Sequence, residues 1–151
     1  MRARGLRPSS RVLEISQKLA EPDEARTLEL APGTRVIVIR RERLADESPM
    51  ALERSLVGPD CAAVLGADLE QGSLHAALEQ LGRTPAVARG AITPEAATAA
   101  DAAAFDVPPG TPLLVETRTV YDEDDTPVEL TETRYSPTRY VLDVELHRPG
   151  A

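Results

Sequence analysis

Hydrophobic and polar residues alternate along several stretches of the chain, the pattern of strands that bury one face of a sheet. In the clearest stretch, Val36 and Val38 point to one side while Ile37 and Ile39 point to the other. Strands of this character are predicted at Arg11–Ser16, Thr34–Ala45, Met50–Val57, Pro85–Ile92, Thr111–Tyr121, Pro127–Tyr135 and Tyr140–His147.

Helices are predicted between these strands from residues that start and stop helical turns. Pro22–Glu24 begins one helix, because proline suits the first turn and acids suit its positive end, and Ala31–Gly33 stops it. Thr93 is the predicted cap of an alanine-rich helix, with Pro94 in its first position and its end near Phe105. Two shorter amphipathic helices are predicted over Cys61–Glu70 and Ser73–Leu81.

The order of these signals occurs twice. Both Pro22–Val57 and Thr93–Tyr135 show a helix, Pro-Gly-Thr, a strand, an acidic turn, a proline and a second strand. Hairpin connections make neighbouring strands antiparallel. We therefore expect one α+β domain over residues 1–151, with an antiparallel sheet flanked by helices and an internal helix-hairpin repeat.

The composition restricts the class of protein. The 151 residues are 42% hydrophobic and 28% charged, which is typical of one globular domain. The net charge of -8 makes the chain a poor partner for nucleic acid or an anionic membrane surface. No apolar run approaches the roughly 20 residues of a membrane span, and no secretory leader is recognisable. We expect a cytoplasmic domain that has no membrane contact.

Signatures of metal, cofactor or covalent chemistry are weak. His75 and His147 lie far apart, without cysteine or carboxylate neighbours at metal-ligand spacing. Gly33 and Gly110 belong to Pro-Gly-Thr turns rather than to phosphate or dinucleotide loops. The single cysteine, Cys61, excludes an internal disulfide and is expected to be buried. The sequence predicts no cofactor.

Two arginines on the strongest strand are the first candidates for binding chemistry. Arg41 and Arg43 share a face with Ile37 and Ile39, so their guanidinium groups either converge on one anion or extend into solvent at the end of the sheet. Glu53 on the following strand faces Arg41 if the connection has an odd number of residues. It would then pair with the arginines or accept hydrogen bonds from a ligand.

The strand from Pro127 carries a continuous polar row. Glu129, Thr131, Thr133 and Tyr135 occupy alternate positions, and therefore one face. Such a row suits either a site that hydrogen-bonds a polar small molecule or a solvated sheet face.

The same segments carry a family resemblance over essentially the whole chain. "GTRVIVIRRERLADESPMALERSLV" resembles the central hairpin of the UTRA domain, the ligand-binding module of HutC-type GntR regulators. "MRARGLRPSS" resembles the point where the linker enters that domain, and "SLHAALEQLG" resembles its following helix. "AAAFDVPPGTPLLVETRTVYDEDDTPVELTETRYSPTRY" resembles its C-terminal helix and hairpin.

The resemblance implies a chorismate-lyase-like fold and a site for a phosphorylated sugar. Two arginines at the positions of Arg41 and Arg43 would bind the phosphate. The site residues expected from the resemblance are Arg41, Arg43, Glu53, Ser73, His75, Glu129 and Tyr135. Many members have an aromatic residue at the position of His75, and an Arg-Gly-Asp-Arg-Tyr run where this chain has Ser136–Tyr140. The second difference is expected to reshape a loop beside the pocket.

The implied function is that of a non-enzymatic sensor. An anionic effector such as an amino-sugar phosphate would bind a homodimer and change DNA binding by an N-terminal winged-helix domain that residues 1–151 do not include. One alternative is a chorismate-lyase-like enzyme acting on a small carboxylate, since fold alone does not decide function. A second alternative is a domain that only dimerises and has a degenerate pocket.

Overall fold

The computed structural model describes residues 6–150, so most of the basic segment at the start of the chain lies outside the described residues. Six strands and three short α-helices follow one another, with a 3₁₀ segment, Pro59–Gly66, between β3 and α2. The elements are β1 Pro8–Leu19, α1 Pro22–Thr27, β2 Arg35–Ala45, β3 Ser48–Val57, α2 Leu74–Gln80, β4 Pro85–Ala96, α3 Ala99–Phe105, β5 Pro112–Asp122 and β6 Pro127–Tyr135.

The strands form one six-stranded sheet in the order β1-β2-β3-β6-β5-β4, and every neighbouring pair is antiparallel. Each half of the sheet has the chain order strand, helix, strand, strand. The halves meet where β3 pairs with β6, at the centre of the sheet. The predicted α+β class with an antiparallel sheet and flanking helices is confirmed.

The two faces of the sheet are covered by different helices. On the face that carries Arg41, called here the site face, Ile37 and Ile39 pack against the 3₁₀ segment and α2 in a core that includes Leu74 and Leu78. On the opposite face, Leu28, at the end of α1, packs on β2 and β3, while Phe105 of α3 packs on β5. Burial of such side chains stabilises the fold by about 1.5–3 kcal/mol each. On the site face, the core leaves one end of the sheet uncovered for the polar residues.

The predicted helix start at Thr93 is wrong. Thr93 and Pro94 lie in β4, which continues to Ala96. Proline is compatible with this position because β4 is an edge strand, where a missing N–H breaks no ladder bond on the free side. The helix is capped instead by Thr98, whose side chain accepts from the Asp101 N–H while the Asp101 carboxylate accepts from the Thr98 N–H.

Two other element predictions are also wrong. Tyr140–His147 forms no strand, because no strand of the described chain lies beside it, and its side chains Val144 and Leu146 are 66% and 88% exposed. Cys61–Glu70 does not form an α-helix: its first part lies in the 3₁₀ segment, which is kinked at Cys61, and the rest is turn. Among the described residues, no helix is long and apolar enough to cross a membrane.

Candidate functional site

A cavity of about 360 Å³ lies on the site face, between the sheet and the loop that leads into α2. Its walls contain residues from β1, β2, β3, β5 and β6, so distant parts of the chain meet there. Six of the seven predicted site residues line this one cavity: Arg41, Arg43, Glu53, Ser73, His75 and Glu129.

The register of the β2–β3 hairpin brings the first group together. Arg41 pairs directly with Glu53, and a bulge after Arg43 supplies the extra residue that places both side chains on the site face. The predicted position of Glu53 opposite Arg41 is confirmed, but the turn has only two residues, Asp46 and Glu47, and the bulge rather than an odd turn produces this register. On the other side of Glu53 lies Thr133 of β6, so the polar row continues across the sheet centre.

Arg41 is buried, with 4% of its surface exposed, and it is only partly satisfied by the protein. Its Nε donates to Glu53 Oε1 over 3.1 Å, and Nη2 donates to the same oxygen. Its Nη1 is buried and makes no hydrogen bond within the described part of the chain. Buried donors are almost always paired, so a free Nη1 in a cavity wall is an available ligand donor.

Arg43 provides positive charge that the protein does not neutralise. It lines the same cavity and forms no ion pair or hydrogen bond with any other described residue. Its cross-strand neighbours, Ser10 and Ala51, are uncharged. Glu53 balances Arg41, and Glu70, which also lines the cavity, accepts from the Val12 N–H, so Arg43 keeps its donors available to an anion.

His75 and Glu129 form a second polar group in the cavity wall. The His75 Nε2 and Glu129 Oε2 atoms are 2.9 Å apart, and Glu129 is 2% exposed. Ser73 lies nearby and caps α2 by accepting from the Ala76 N–H over 3.4 Å. These groups offer hydrogen-bond acceptors and a hydroxyl to a polar ligand.

The polar row on β6 is buried rather than solvated. Thr131 and Thr133 are 2% and 5% exposed, so the solvated-face alternative for these residues is wrong. Tyr135, the seventh predicted site residue, lies at the end of the row but does not line the 360 Å³ cavity. Its ring stacks on Tyr140 with centroids 3.8 Å apart, and burial together with the charge of Glu116 raises the Tyr135 pKa far above its usual range.

Arg118 on β5 is a cavity residue that the sequence analysis missed. Its signal was the alternate spacing of two charged residues on β5: Glu116 and Arg118 share the site face, opposite Thr133 and Thr131. Within the described chain, no group of histidine, cysteine and carboxylate side chains has an arrangement that could hold a metal ion.

Comparison with known proteins agrees with this architecture. The UTRA domain family matches residues 3–141. The chain is 29% identical over 143 residues to the HTH-type transcriptional repressor NagR of Bacillus subtilis, covering 94% of this chain but only 59% of NagR.

Two solved structures add to this. The ligand-binding domain of a GntR-family transcriptional regulator from Bordetella bronchiseptica has a TM-score of 0.83 at 27% identity, over 93% of this chain and 90% of that one. A transcriptional regulator from Streptomyces coelicolor has a TM-score of 0.80 at 31% identity, over 95% and 97% of the two chains. The matched family consists of transcription-regulator domains rather than enzymes, so the lyase alternative is set aside. The chain therefore belongs to the UTRA domain family of GntR-type transcriptional regulators.

Proposed function

We propose that this domain binds an anionic metabolite, with an amino-sugar phosphate as the first candidate, and passes that signal to a DNA-binding domain. The proposal rests on two arginines that line one cavity. Arg41 is buried and keeps one free donor, and Arg43 forms no ion pair with a described residue. The proposal includes the chorismate-lyase-like fold that the resemblance implied. It also includes the internal helix-hairpin repeat that the sequence pattern predicted.

Phosphate is the anion that these two residues suit best. Each guanidinium presents a planar set of donors that matches phosphate oxygens, and Glu53 holds the Arg41 side chain in a fixed direction. A phosphate group carries about -1.5 to -2 charges at neutral pH, so it would interact with the unneutralised charge of Arg43 and accept a hydrogen bond from the free Nη1 of Arg41.

The other end of the cavity suits the sugar. Glu129 accepts hydrogen bonds from ligand hydroxyl or amide groups, and Ser73 and His75 lie beside it. A few convergent polar groups of this kind orient a small ligand in a preformed cavity. The 29% identity to NagR supports amino-sugar sensing by this chain.

The signal is proposed to pass through a homodimer. Apolar side chains are exposed along β4 and the segment that follows β6: Val87 and Ile92 on β4, and Val141, Leu142, Val144 and Leu146 after it. Exposed apolar surface of this kind is typical of protein interfaces. Ligand binding would favour one arrangement of the two copies, and an N-terminal winged-helix domain would respond with altered DNA binding.

A thermal-shift screen of the purified domain tests the ligand class. The panel contains sugar phosphates, amino acids, aromatic acids and chorismate. A ligand at about 100 times its Kd adds about 2.7 kcal/mol to stability, which raises Tm by several degrees. We expect a shift with a phosphorylated sugar that is lost in the Arg41→Ala, Arg43→Ala double variant. Silence with every phosphorylated compound would contradict the proposed ligand class, and an unchanged response of the double variant would contradict the site.

A further inference from the structure

Arg118 and the two β2 arginines belong to opposite walls of the same cavity. β3 and β6 lie between β2 and β5 in the sheet. Neighbouring strands are about 4.8 Å apart, so the backbone of Arg118 lies about 14 Å across the sheet from that of β2. Arg118 is thus a third cation of the cavity at a distance from the proposed phosphate position.

The protein leaves Arg118 with an unused donor. Its Nε is buried and makes no hydrogen bond within the described residues. Its Nη1 lies 3.2 Å from Glu116 Oε1 in an ion pair that balances its charge, although this oxygen accepts no hydrogen bond within the described residues. The residues opposite Arg118 in the sheet, Thr131 and Gly90, carry no carboxylate. An unsatisfied buried N–H is costly unless an acceptor occupies the position beside it.

The two sides of the cavity resemble each other in part: each has an arginine beside a carboxylate and one buried donor without a hydrogen bond. On β2 and β3, Arg41 pairs with Glu53 and keeps a free Nη1. On β5, Arg118 pairs with Glu116 and keeps a free Nε. Only the β2 side adds a further cation, Arg43, without an ion pair to a described residue, so the anionic group is expected there. The β5 side has a single directed donor, which suits a neutral carbonyl or a carboxylate oxygen.

We propose that Arg118 binds a second acceptor group of the effector, a carbonyl or carboxylate oxygen remote from the anionic group bound by Arg41 and Arg43. This inference rests on the proposed function for the position of the anionic group. It makes Arg118 a specificity residue: it distinguishes effectors with two separated acceptors from anions with one. A simple phosphate ester would use only the β2 side of the cavity.

Isothermal titration calorimetry with two matched ligand pairs tests this role. N-acetylglucosamine 6-phosphate and glucose 6-phosphate differ in an acetamido carbonyl, while 3-phosphoglycerate and glycerol 3-phosphate differ in a carboxylate. The proteins are the wild type, Arg118→Gln and the control Arg26→Gln, which removes an exposed arginine from α1, with 71% of its side chain exposed. A charge-assisted hydrogen bond is worth about tenfold or more in Kd.

We expect the wild type to prefer the two-acceptor member of at least one pair by about tenfold or more. Arg118→Gln should abolish that preference by weakening only the two-acceptor ligand, while Arg26→Gln retains it. Equal effects of Arg118→Gln on both members of a pair, or no effect, would overturn the role of Arg118 and leave the proposed function standing. Failure of the wild type to bind any of the four compounds would contradict both proposals.

Discussion

The Arg41–Glu53 ion pair allows the sharpest test of how the cavity is built. Glu53→Gln removes the carboxylate and leaves Arg41, which is 4% exposed, without a counter-charge. Breaking a buried pair by removing one partner costs about 3–5 kcal/mol. Glu53 retains 13% side-chain exposure and the cavity opens to solvent, so we take the lower end of that range, about 3 kcal/mol.

Urea unfolding measures this loss directly, as a lower transition midpoint at unchanged slope. For a chain of this length, about 3 kcal/mol corresponds to a Tm lower by about 6–12 °C. The matched control is Asp125→Asn, which removes the partner of Arg89 from an exposed ion pair and should leave the midpoint unchanged. Asparagine also tolerates the positive φ of 59° at this turn position.

Phosphate provides the second half of the same test. Without the Glu53 carboxylate, the positive charge of Arg41 is no longer neutralised, so the cavity attracts an anion more strongly. Added inorganic phosphate should therefore raise the stability of Glu53→Gln more than that of the wild type. A loss below about 1 kcal/mol, well under the range for a buried pair, would refute the view that Arg41 depends on Glu53. An equal phosphate effect on both proteins would refute the view that Arg41 is an anion-binding group.

Three further predictions concern parts of the fold outside the pair. Burial, and then the charge of its neighbour Asp60, raises the Cys61 pKa to about 11, so iodoacetamide at pH 8 should alkylate the native thiol more than about tenfold slower than the urea-unfolded one; equal rates would contradict this. Gly90→Ala should lower stability by about 2 kcal/mol in urea unfolding, since the added methyl would overlap the Thr117 carbonyl oxygen; an unchanged midpoint would show that β4 moves freely. Burial alone would raise the Glu24 pKa, but hydrogen bonds from Lys18, the Glu21 backbone and Arg54 lower it overall. The ionised Glu24 therefore stabilises the folded domain above the unfolded pKa of about 4.3, and this stabilisation is lost as the pH falls through the folded pKa. Glu24→Gln should therefore destabilise the domain at pH 7 and much less at pH 3, and a constant difference would contradict the assignment.

Much of the fold was predictable because its central strands carry strong local patterns. Alternation defined β2 and β6 closely, and the position of Pro49 at the start of β3 was compatible with the hairpin. The register between Arg41 and Glu53 depends on one bulge residue. From the sequence alone, Glu53 could therefore lie on either face of the sheet. Once the hairpin pairs in this register, six predicted site residues reach one cavity.

The errors have a common physical cause: local signals that tertiary pairing overrides. Thr93 and Pro94 have the chemistry of a helix start, yet pairing with β5 extends β4 over them. Thr98, further along the chain, caps the helix together with Asp101 instead. Tyr140–His147 has the alternation of a strand but finds no strand beside it in the described chain. Arg118 was missed because charged residues at alternate positions, such as Glu116 and Arg118, are equally typical of a solvated sheet face, and only pairing with β4 and β6 places them inside the sheet.

The most direct test of an anion-sensing cavity is the affinity of the Arg43→Gln variant for N-acetylglucosamine 6-phosphate, measured by isothermal titration calorimetry. Arg43 is the right residue because it pairs with no other described residue, so its loss should leave the fold intact. Removing one guanidinium from a phosphate site should weaken binding by about tenfold to a hundredfold. The account predicts that loss in Arg43→Gln, with wild-type affinity retained in Arg26→Gln. Wild-type affinity in Arg43→Gln would contradict the account.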